Sequence, residues 1–254
     1  MANVRYIFKP ILLFFAALVI NFTLHELAHA LAAYLLGIKS VMHQLSVSFD
    51  RDAANRTQQI IIALTGPIFS LCLGLSFLLV YRNISSASAK LFALYGSIFG
   101  VSIFLGNLFA TSLGGDLHLV AKALNLSQPA IYALSFTGLA LMCVFMYTMA
   151  GQFMTFTVPD VTRARLILLT ILLPWIVGTA LTIVVYLPMS LSAIQNRVSE
   201  SIFWIFTLVG AFISKNKINA GNRIITPVDW VDIGMVVSLI LIVRLMARGI
   251  NFIP

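Results

Sequence analysis

The sequence predicts an all-α polytopic membrane protein with about six transmembrane helices. The chain of 254 residues is 60% hydrophobic and only 9% charged. About a quarter of the residues of a soluble domain are charged, so the composition excludes an ordinary soluble protein. The apolar residues are also grouped in blocks of about 20, the length at which a helix crosses a bilayer.

The predicted helices follow one another along the whole chain, separated by polar segments. The stretch 201–214, SIFWIFTLVGAFIS, is apolar but short for a span, so we expect it to be interfacial or re-entrant. The six predicted spans cover approximately residues 8–36, 59–81, 89–113, 130–156, 166–188 and 230–250.

A short β-hairpin is predicted between the first two helices. In HQLSVSFD, the apolar residues Leu45, Val47 and Phe49 alternate with polar ones, which is typical of a strand. Such a strand could pair with an extended substrate segment, or it could simply connect the two helices.

Small residues recur on the second and third helices. Gly66, Ser70 and Gly74 are spaced every four residues, and Gly96 and Gly100 form a GxxxG pair. This spacing favours close packing of helices in a membrane. The alternative for any single glycine is a position that faces lipid.

The charged residues indicate a lipid environment and no nucleic acid partner. The net charge is +8, but the 16 Lys and Arg residues are scattered and form no basic stripe. We expect them to contact lipid headgroups. Their distribution among the short loops favours cytoplasmic termini. We therefore predict a multi-pass integral protein of the cell membrane, either plasma or inner.

Cysteine use predicts no disulfide partner, because Cys72 and Cys143 both fall inside predicted spans.

The pentapeptide HELAH, residues 25–29, is the strongest functional signal. On a helix His25 and His29 share a face and can bind one ion, while Glu26 projects about 100° away. This is the arrangement of zinc hydrolases, in which the metal lowers the pKa of a bound water and the Glu accepts its proton. The alternative is a polar patch that joins helices. The chain has only four His and eight acidic residues, so their concentration in one apolar helix favours a metal site.

Zinc in a hydrolase needs a third protein ligand, which leaves one position for water. Asp116 and His118 lie where the third span breaks at a glycine pair, in GNLFATSLGGDLHLV. A carboxylate at such a depth is tolerated where it lines a cavity or binds a metal, although a solvated Asp116 just outside the span is an alternative. The other candidates are His43 and Glu200.

These residues resemble the site-2 protease family of intramembrane zinc metalloproteases. HELAHALAAYLLGIKS resembles the first core helix of that family, ALTGPIFSLCLG is similar to its Gly-Pro segment, and NLFATSLGGD resembles its third core helix. The resemblance covers roughly residues 10–125. It implies His25, His29 and Asp116 as zinc ligands; from the sequence alone, His118 is the alternative third ligand. Glu26 would be the catalytic base, and Asn107 a helper near the substrate or the oxyanion.

The resemblance implies a zinc metalloendopeptidase that hydrolyses peptide bonds of membrane-spanning or membrane-adjacent proteins. Residues 1–125 would form a three-helix catalytic membrane core, without an inserted peptide-recognition domain. Residues 126–254 would add transmembrane helices to the same integrated domain, and we identify no chemistry there.

Two other functions stay open at this stage. The first is a zinc-binding membrane protein without protease activity, such as a transporter or a degenerate scaffold. Glu26 argues against it, because a transporter needs no base beside its ligands. The second is a membrane metalloprotease of the type that cuts prenylated proteins, for which Glu200 is the only downstream glutamate.

Overall fold

Helices make up most of the structure, a computed structural model that describes residues 4–156, 162–188, 201–214 and 224–254. Three short strands complete it. The helices are α1 (Val4–Leu35), α2 (Arg56–Asn83), α3 (Ala87–Phe109), α4 (Asp116–Ala123), α5 (Gln128–Phe153), α6 (Arg163–Tyr186), α7 (Trp204–Ile213) and α8 (Trp230–Met246). The strands are β1 (Ser40–Met42), β2 (Val47–Phe49) and β3 (Ile250–Phe252).

Five helices are long and apolar enough to cross a membrane, which confirms a polytopic α-helical membrane protein. They are Tyr6–Leu35, Arg56–Asn83, Ala87–Ser112, Gln128–Phe153 and Arg163–Tyr186, and they correspond to the first five predicted spans. The sixth predicted span, 230–250, is shorter than expected, because α8 has 17 residues and ends at Met246. Gly249 then turns the chain into β3 with a φ of +80°.

Close packing of α2 on α3 confirms the role predicted for the small residues. A Cβ on Gly74 would lie 2.6 Å from the backbone nitrogen of Val101, and one on Gly100 would lie 2.6 Å from Gly74 Cα. A Cβ on Gly96 would lie 2.7 Å from the ring of Phe77. These glycines therefore face a neighbouring helix and not lipid.

The predicted hairpin forms, and the C-terminal end of the chain extends it into a sheet. Strand β1 is central and pairs antiparallel with both neighbours, in the order β2-β1-β3. Val41 lies opposite Ser48 on one side and Asn251 on the other. The side chain of Gln44, in the hairpin turn, donates to the carbonyl of Val243 at 3.0 Å. The hairpin is thus joined to both α8 and β3.

A buried ion pair connects the first and last helices. Lys9 of α1 is 3% exposed, and its Nζ lies 2.5 Å from Asp232 Oδ2 and 3.2 Å from Asp229 Oδ2. Asp229 also caps α8 by accepting from the backbone N–H groups of Val231 and Asp232. The pairing satisfies a lysine that would be costly to bury alone.

The segment 201–214 does not form a span, as predicted. Helix α7 has ten residues and is about 15 Å long, half of what a bilayer requires. Its first residue, Trp204, is buried, and its last turn is capped by Arg163, which donates to the carbonyl of Ala211 at 2.8 Å.

The hydrophobic core is shared by both halves of the chain. The indole of Trp204 packs against Phe14 with ring centroids 5.0 Å apart, and against Phe99 at 5.5 Å. Helix α6 approaches α1 closely, since a Cβ on Gly178 would lie 2.4 Å from the Phe14 ring. Helices α5, α6 and α7 thus contribute to one wall of the cavity that contains His25 and His29.

Candidate metal centre

The two histidines of HELAH lie side by side on α1. His25 and His29 are both buried, and their Nε2 atoms are 3.1 Å apart. Their spacing of four residues places them one helical turn apart on the same face. The helix therefore brings both imidazoles to one point, as the sequence predicts.

Asp116 reaches the same point from the far end of α3. The chain leaves α3 through a short 3₁₀ turn and reverses at Gly114 and Gly115, whose φ values are +152° and +89°. Residues with a Cβ rarely adopt such angles, so the glycine pair makes the reversal possible. Asp116 Oδ2 then lies 3.2 Å from His25 Nε2 and 3.3 Å from His29 Nε2.

The spacing of these three atoms fits a zinc ion. Zinc bonds of about 2.0–2.1 Å in a tetrahedron place the ligand atoms about 3.3 Å apart. The separations among His25 Nε2, His29 Nε2 and Asp116 Oδ2 are 3.1, 3.2 and 3.3 Å. Two nitrogens and one oxygen are a donor set that zinc accepts, with the fourth corner open. The described residues contain this one group of His, Cys, Asp or Glu able to hold a metal.

The Nδ1 atoms of both imidazoles are hydrogen-bonded, which directs their Nε2 atoms toward the centre of the cluster. His29 Nδ1 donates to the backbone carbonyl of Ile62 at 2.6 Å, which leaves a lone pair on Nε2 of the neutral ring. His25 Nδ1 hydrogen-bonds the Ser70 hydroxyl at 2.9 Å. Such contacts orient metal-binding histidines and tune their basicity. Both partners lie on α2.

Gly66, in the Gly-Pro segment of α2, allows His29 to occupy its position. A Cβ on Gly66 would lie 2.1 Å from His29 Nε2, closer than any real contact. The small residues of α2 therefore do more than pack helices. Gly66 leaves space for one ligand, and Ser70 orients the other.

The two histidines affect the ionisation of Asp116. Burial raises the pKa of its carboxyl, but hydrogen bonds from His25 and His29, made when their Nε2 atoms carry protons instead of a metal, have the opposite effect and hold that pKa well below its ordinary value. Asn107 supports the aspartate, because its Oδ1 accepts from the Asp116 backbone N–H at 3.3 Å. Its Nδ2 donates to the carbonyl of Ile103 at 3.1 Å. The structure thus gives Asn107 a positioning contact, and the oxyanion role stays a prediction.

Glu26 lies on the wall of a cavity that contains the cluster. The cavity has a volume of about 890 Å³, and His25, Glu26, His29, Asn107 and Asp116 all line it. Glu26 is buried and does not belong to the group of three converging ligand atoms. Glu26 therefore shares the cavity with the three converging ligand atoms without being one of them.

The other candidate ligands lie apart from the cluster or outside the described residues. His118 lines the cavity, but its Nδ1 donates to the carbonyl of Thr111 at 2.8 Å and it is not in the ligand group. His43 lies in the hairpin turn, where its backbone N–H donates to Ser46. Glu200 falls outside the described residues.

The contacts that α2 makes with His25 and His29 were not predicted from the sequence. The stripe Gly66, Ser70 and Gly74 signalled a helix interface, but not which helix it would meet. The carbonyl of Ile62 leaves no trace in the sequence, since every residue carries one. The only signal in the sequence is the spacing of Ser70 four residues after Gly66, which places both residues on one face of α2.

Cys72 and Cys143 are not paired with each other, and each is a free thiol.

No protein-family model, curated protein or solved structure matches the chain.

Proposed function

We propose that this protein is an intramembrane zinc metalloprotease of the site-2 protease type. The observation that carries the proposal is the tetrahedral spacing of His25, His29 and Asp116 inside a cavity whose wall includes Glu26. A structural polar cluster would need no further buried carboxylate such as Glu26 in the same cavity. Zinc is the expected ion because the donor set is two imidazoles and one carboxylate.

The chain would hold zinc and supply a base, a counter-charge and positioning contacts around the scissile peptide bond. Zinc, when bound, activates a water ligand and polarises the substrate carbonyl. Glu26 would accept a proton from the attacking water and pass it to the leaving nitrogen, as a positioned general base and acid. Asp116 offsets part of the charge of the ion in a site of low dielectric. Gly66, Ser70 and Ile62 hold the two imidazoles in place.

The substrate reaches the metal beside the hairpin. Val47 and Phe49 of β2 line the cavity, and β2 is an edge strand of the three-stranded sheet. An extended segment can add to such an edge through backbone hydrogen bonds. A helical substrate hides its carbonyls in its own hydrogen bonds, so we infer that it unwinds locally before it is cut.

The test is a comparison of wild type with Glu26→Gln, purified and reconstituted into liposomes with a transmembrane peptide. The substitution removes the base and no ligand, so zinc content should stay near one ion per chain. Cleavage should fall by roughly 10²–10⁴-fold. Zinc is measured by mass spectrometry and cleavage by separation of the products. Cleavage at the wild-type rate by Glu26→Gln would show that the assignment is wrong, and zinc binding without any cleavage by wild type would favour a non-enzymatic protein.

A further inference from the structure

The cavity extends well beyond the metal cluster along one face of α1. Phe14, Leu18 and Phe22 precede His25 at intervals of three or four residues, and all of them line the cavity. Phe14 lies eleven residues before His25, about 16 Å away at 1.5 Å per residue. At this end Trp204 also lines the cavity and packs against the Phe14 ring. Along α1, this arm of the cavity is therefore lined by apolar side chains.

The opposite end of the cavity differs from this arm, because a cationic side chain lines it. Arg51 follows β2 and lines the cavity together with Phe49. Its guanidinium carbon lies 5.9 Å from the centroid of the Phe49 ring, which fixes the cation beside the strand. Among the described residues, Arg51 is the only lysine or arginine that lines this cavity.

Arg51 has no carboxylate partner within the part of the chain that the structure describes. The flanking Asp50 and Asp52 form no ion pair with it, and Asp50 Oδ1 instead accepts from the backbone N–H groups of Asp52 and Ala53 at 3.2 and 3.1 Å. An arginine fork can bind a carboxylate through two parallel hydrogen bonds. The guanidinium is thus available to an anionic group that enters beside β2.

We propose that Arg51 is a substrate-recognition residue that selects polypeptides carrying a carboxylate on the hairpin side of the scissile bond. The residues on the other side of that bond enter the apolar arm between the metal and Trp204. The inference rests on the proposed function and adds a substrate class to it. The substrate is an apolar segment that ends in, or is followed by, an acidic group. That carboxylate is either an Asp or Glu side chain or a free C-terminus.

The experiment uses peptides with one apolar segment and a single Glu placed at successive positions on either side of the cleavage point. Each has a Gln twin and a Lys twin, and each is made with a free and with an amidated C-terminus. At the favoured position, wild type should cleave the Glu peptide roughly tenfold faster, in kcat/KM, than the Gln peptide. Preference for the free C-terminus over the amide, with no effect of Glu, would identify the terminal carboxylate as the ligand.

Variants at Arg51 provide the decisive comparison. Arg51→Gln should abolish the preference, and Arg51→Glu should favour the Lys peptide over the Glu peptide. Arg56→Gln is the matched control, because Arg56 begins α2, is exposed and does not line the cavity. Arg51 is exposed, so these variants should fold and keep their zinc, which is measured alongside.

Two results would contradict the inference in different ways. If wild type cleaves acidic, neutral and amidated peptides equally, or if Arg51→Gln keeps the preference, Arg51 does not select a carboxylate, while the proteolytic function stands. If wild type cleaves no peptide at all, the proposed function fails and the inference fails with it.

Discussion

His29 is constrained from three directions by groups on two other helices. Its Nδ1 donates to Ile62, its Nε2 faces Asp116, and its ring lies against the bare Cα of Gly66. An imidazole held in this way cannot turn away without losing a buried hydrogen bond. The geometry of the ligand thus depends on a residue, Gly66, that contributes no donor atom.

We expect Gly66→Ala to cost roughly 100-fold or more in zinc affinity, since changes in the supporting shell alone cost 10–100-fold. The new methyl would lie 2.1 Å from His29 Nε2, so the ring must move. Zinc content after equilibration with a competing chelator measures the effect. Gly234→Ala is the matched control, because a Cβ there meets nothing within 4 Å. A folded Gly66→Ala protein with unchanged zinc affinity would contradict the account of His29.

Asp116 and His118 can be separated by substitution. Asp116→Ala should sharply reduce zinc occupancy and abolish cleavage, because Asp116 Oδ2 lies 3.2 and 3.3 Å from the two histidine nitrogens. His118→Ala should leave most of both, since its Nδ1 is bonded to Thr111. Zinc analysis and the liposome cleavage assay measure the two variants in parallel. Loss of metal in His118→Ala with retention in Asp116→Ala would reverse the ligand assignment.

At the level of single residues, the site could be predicted from the sequence where residue type and helical spacing together indicate a metal site. His25 and His29 lie one turn apart and Glu26 directly follows His25, so their relation follows from the helix alone. The choice of Asp116 over His118 depended on the family resemblance and on charge. The contact of Ser70 with His25 could not be predicted, because it depends on how α2 rotates against α1.

The hairpin of β1 and β2 is stabilised by β3, at the C-terminal end of the chain. β1 lies between β2 and β3, and β2 lines the cavity. Without β3, the outer edge of β1 would be exposed and the hairpin would be a two-stranded ribbon, which is marginal by itself. Strand β3 therefore fixes the wall along which we propose that the substrate binds.

Removal of β3 by truncation after Gly249 should loosen the hairpin and leave the metal ligands in place. We expect faster hydrogen exchange of the amides in residues 40–49, a lower cleavage rate and unchanged zinc content. Truncation after Phe252, which removes only the last two residues, is the control. Unchanged exchange in the hairpin after loss of β3 would show that Gln44 and the helix ends suffice to hold it.

At the level of elements, apolar length predicted the five long helices well, because burial in lipid determines them. Strand β3 escaped prediction. It has three residues, and its partner lies about 200 residues earlier in the chain, so no local pattern reveals it. The end of α8 was misplaced for a related reason. The predicted span continued to residue 250, but α8 ends at Met246 and Gly249 reverses the backbone.

On the scale of the whole molecule, α1 links the candidate metal site, the cavity and the last described helix. It carries the metal ligands near its C-terminal end, forms the long wall of the cavity, and holds α8 through Lys9 near its N-terminal end. Helix α8 leads into β3, and together they form one C-terminal segment. The ion pair attaches this segment near the N-terminal end of α1, and the sheet attaches it near the C-terminal end of α1. The two halves of the chain thus form one unit around the cavity.

Loss of the Lys9 side chain should lower the free energy of unfolding of the whole molecule. Lys9→Met would leave Asp232, which is 5% exposed, as a buried charge without its partner. Breaking a buried pair in this way costs roughly 3–5 kcal/mol of the free energy of unfolding. Thermal unfolding in detergent, followed by circular dichroism, measures the loss. Lys39→Met is the matched control, because Lys39 is exposed.

The double variant Lys9→Met/Asp232→Asn tests the electrostatic origin of that loss. It removes both charges and keeps an amide oxygen able to accept from the backbone N–H of Asp229, which Asp232 Oδ2 now contacts at 2.9 Å. We therefore expect it to be more stable than Lys9→Met alone. If the double variant is as unstable as the single one, the destabilisation comes from lost packing around Lys9. In that case charge pairing would not be what holds α8 against α1.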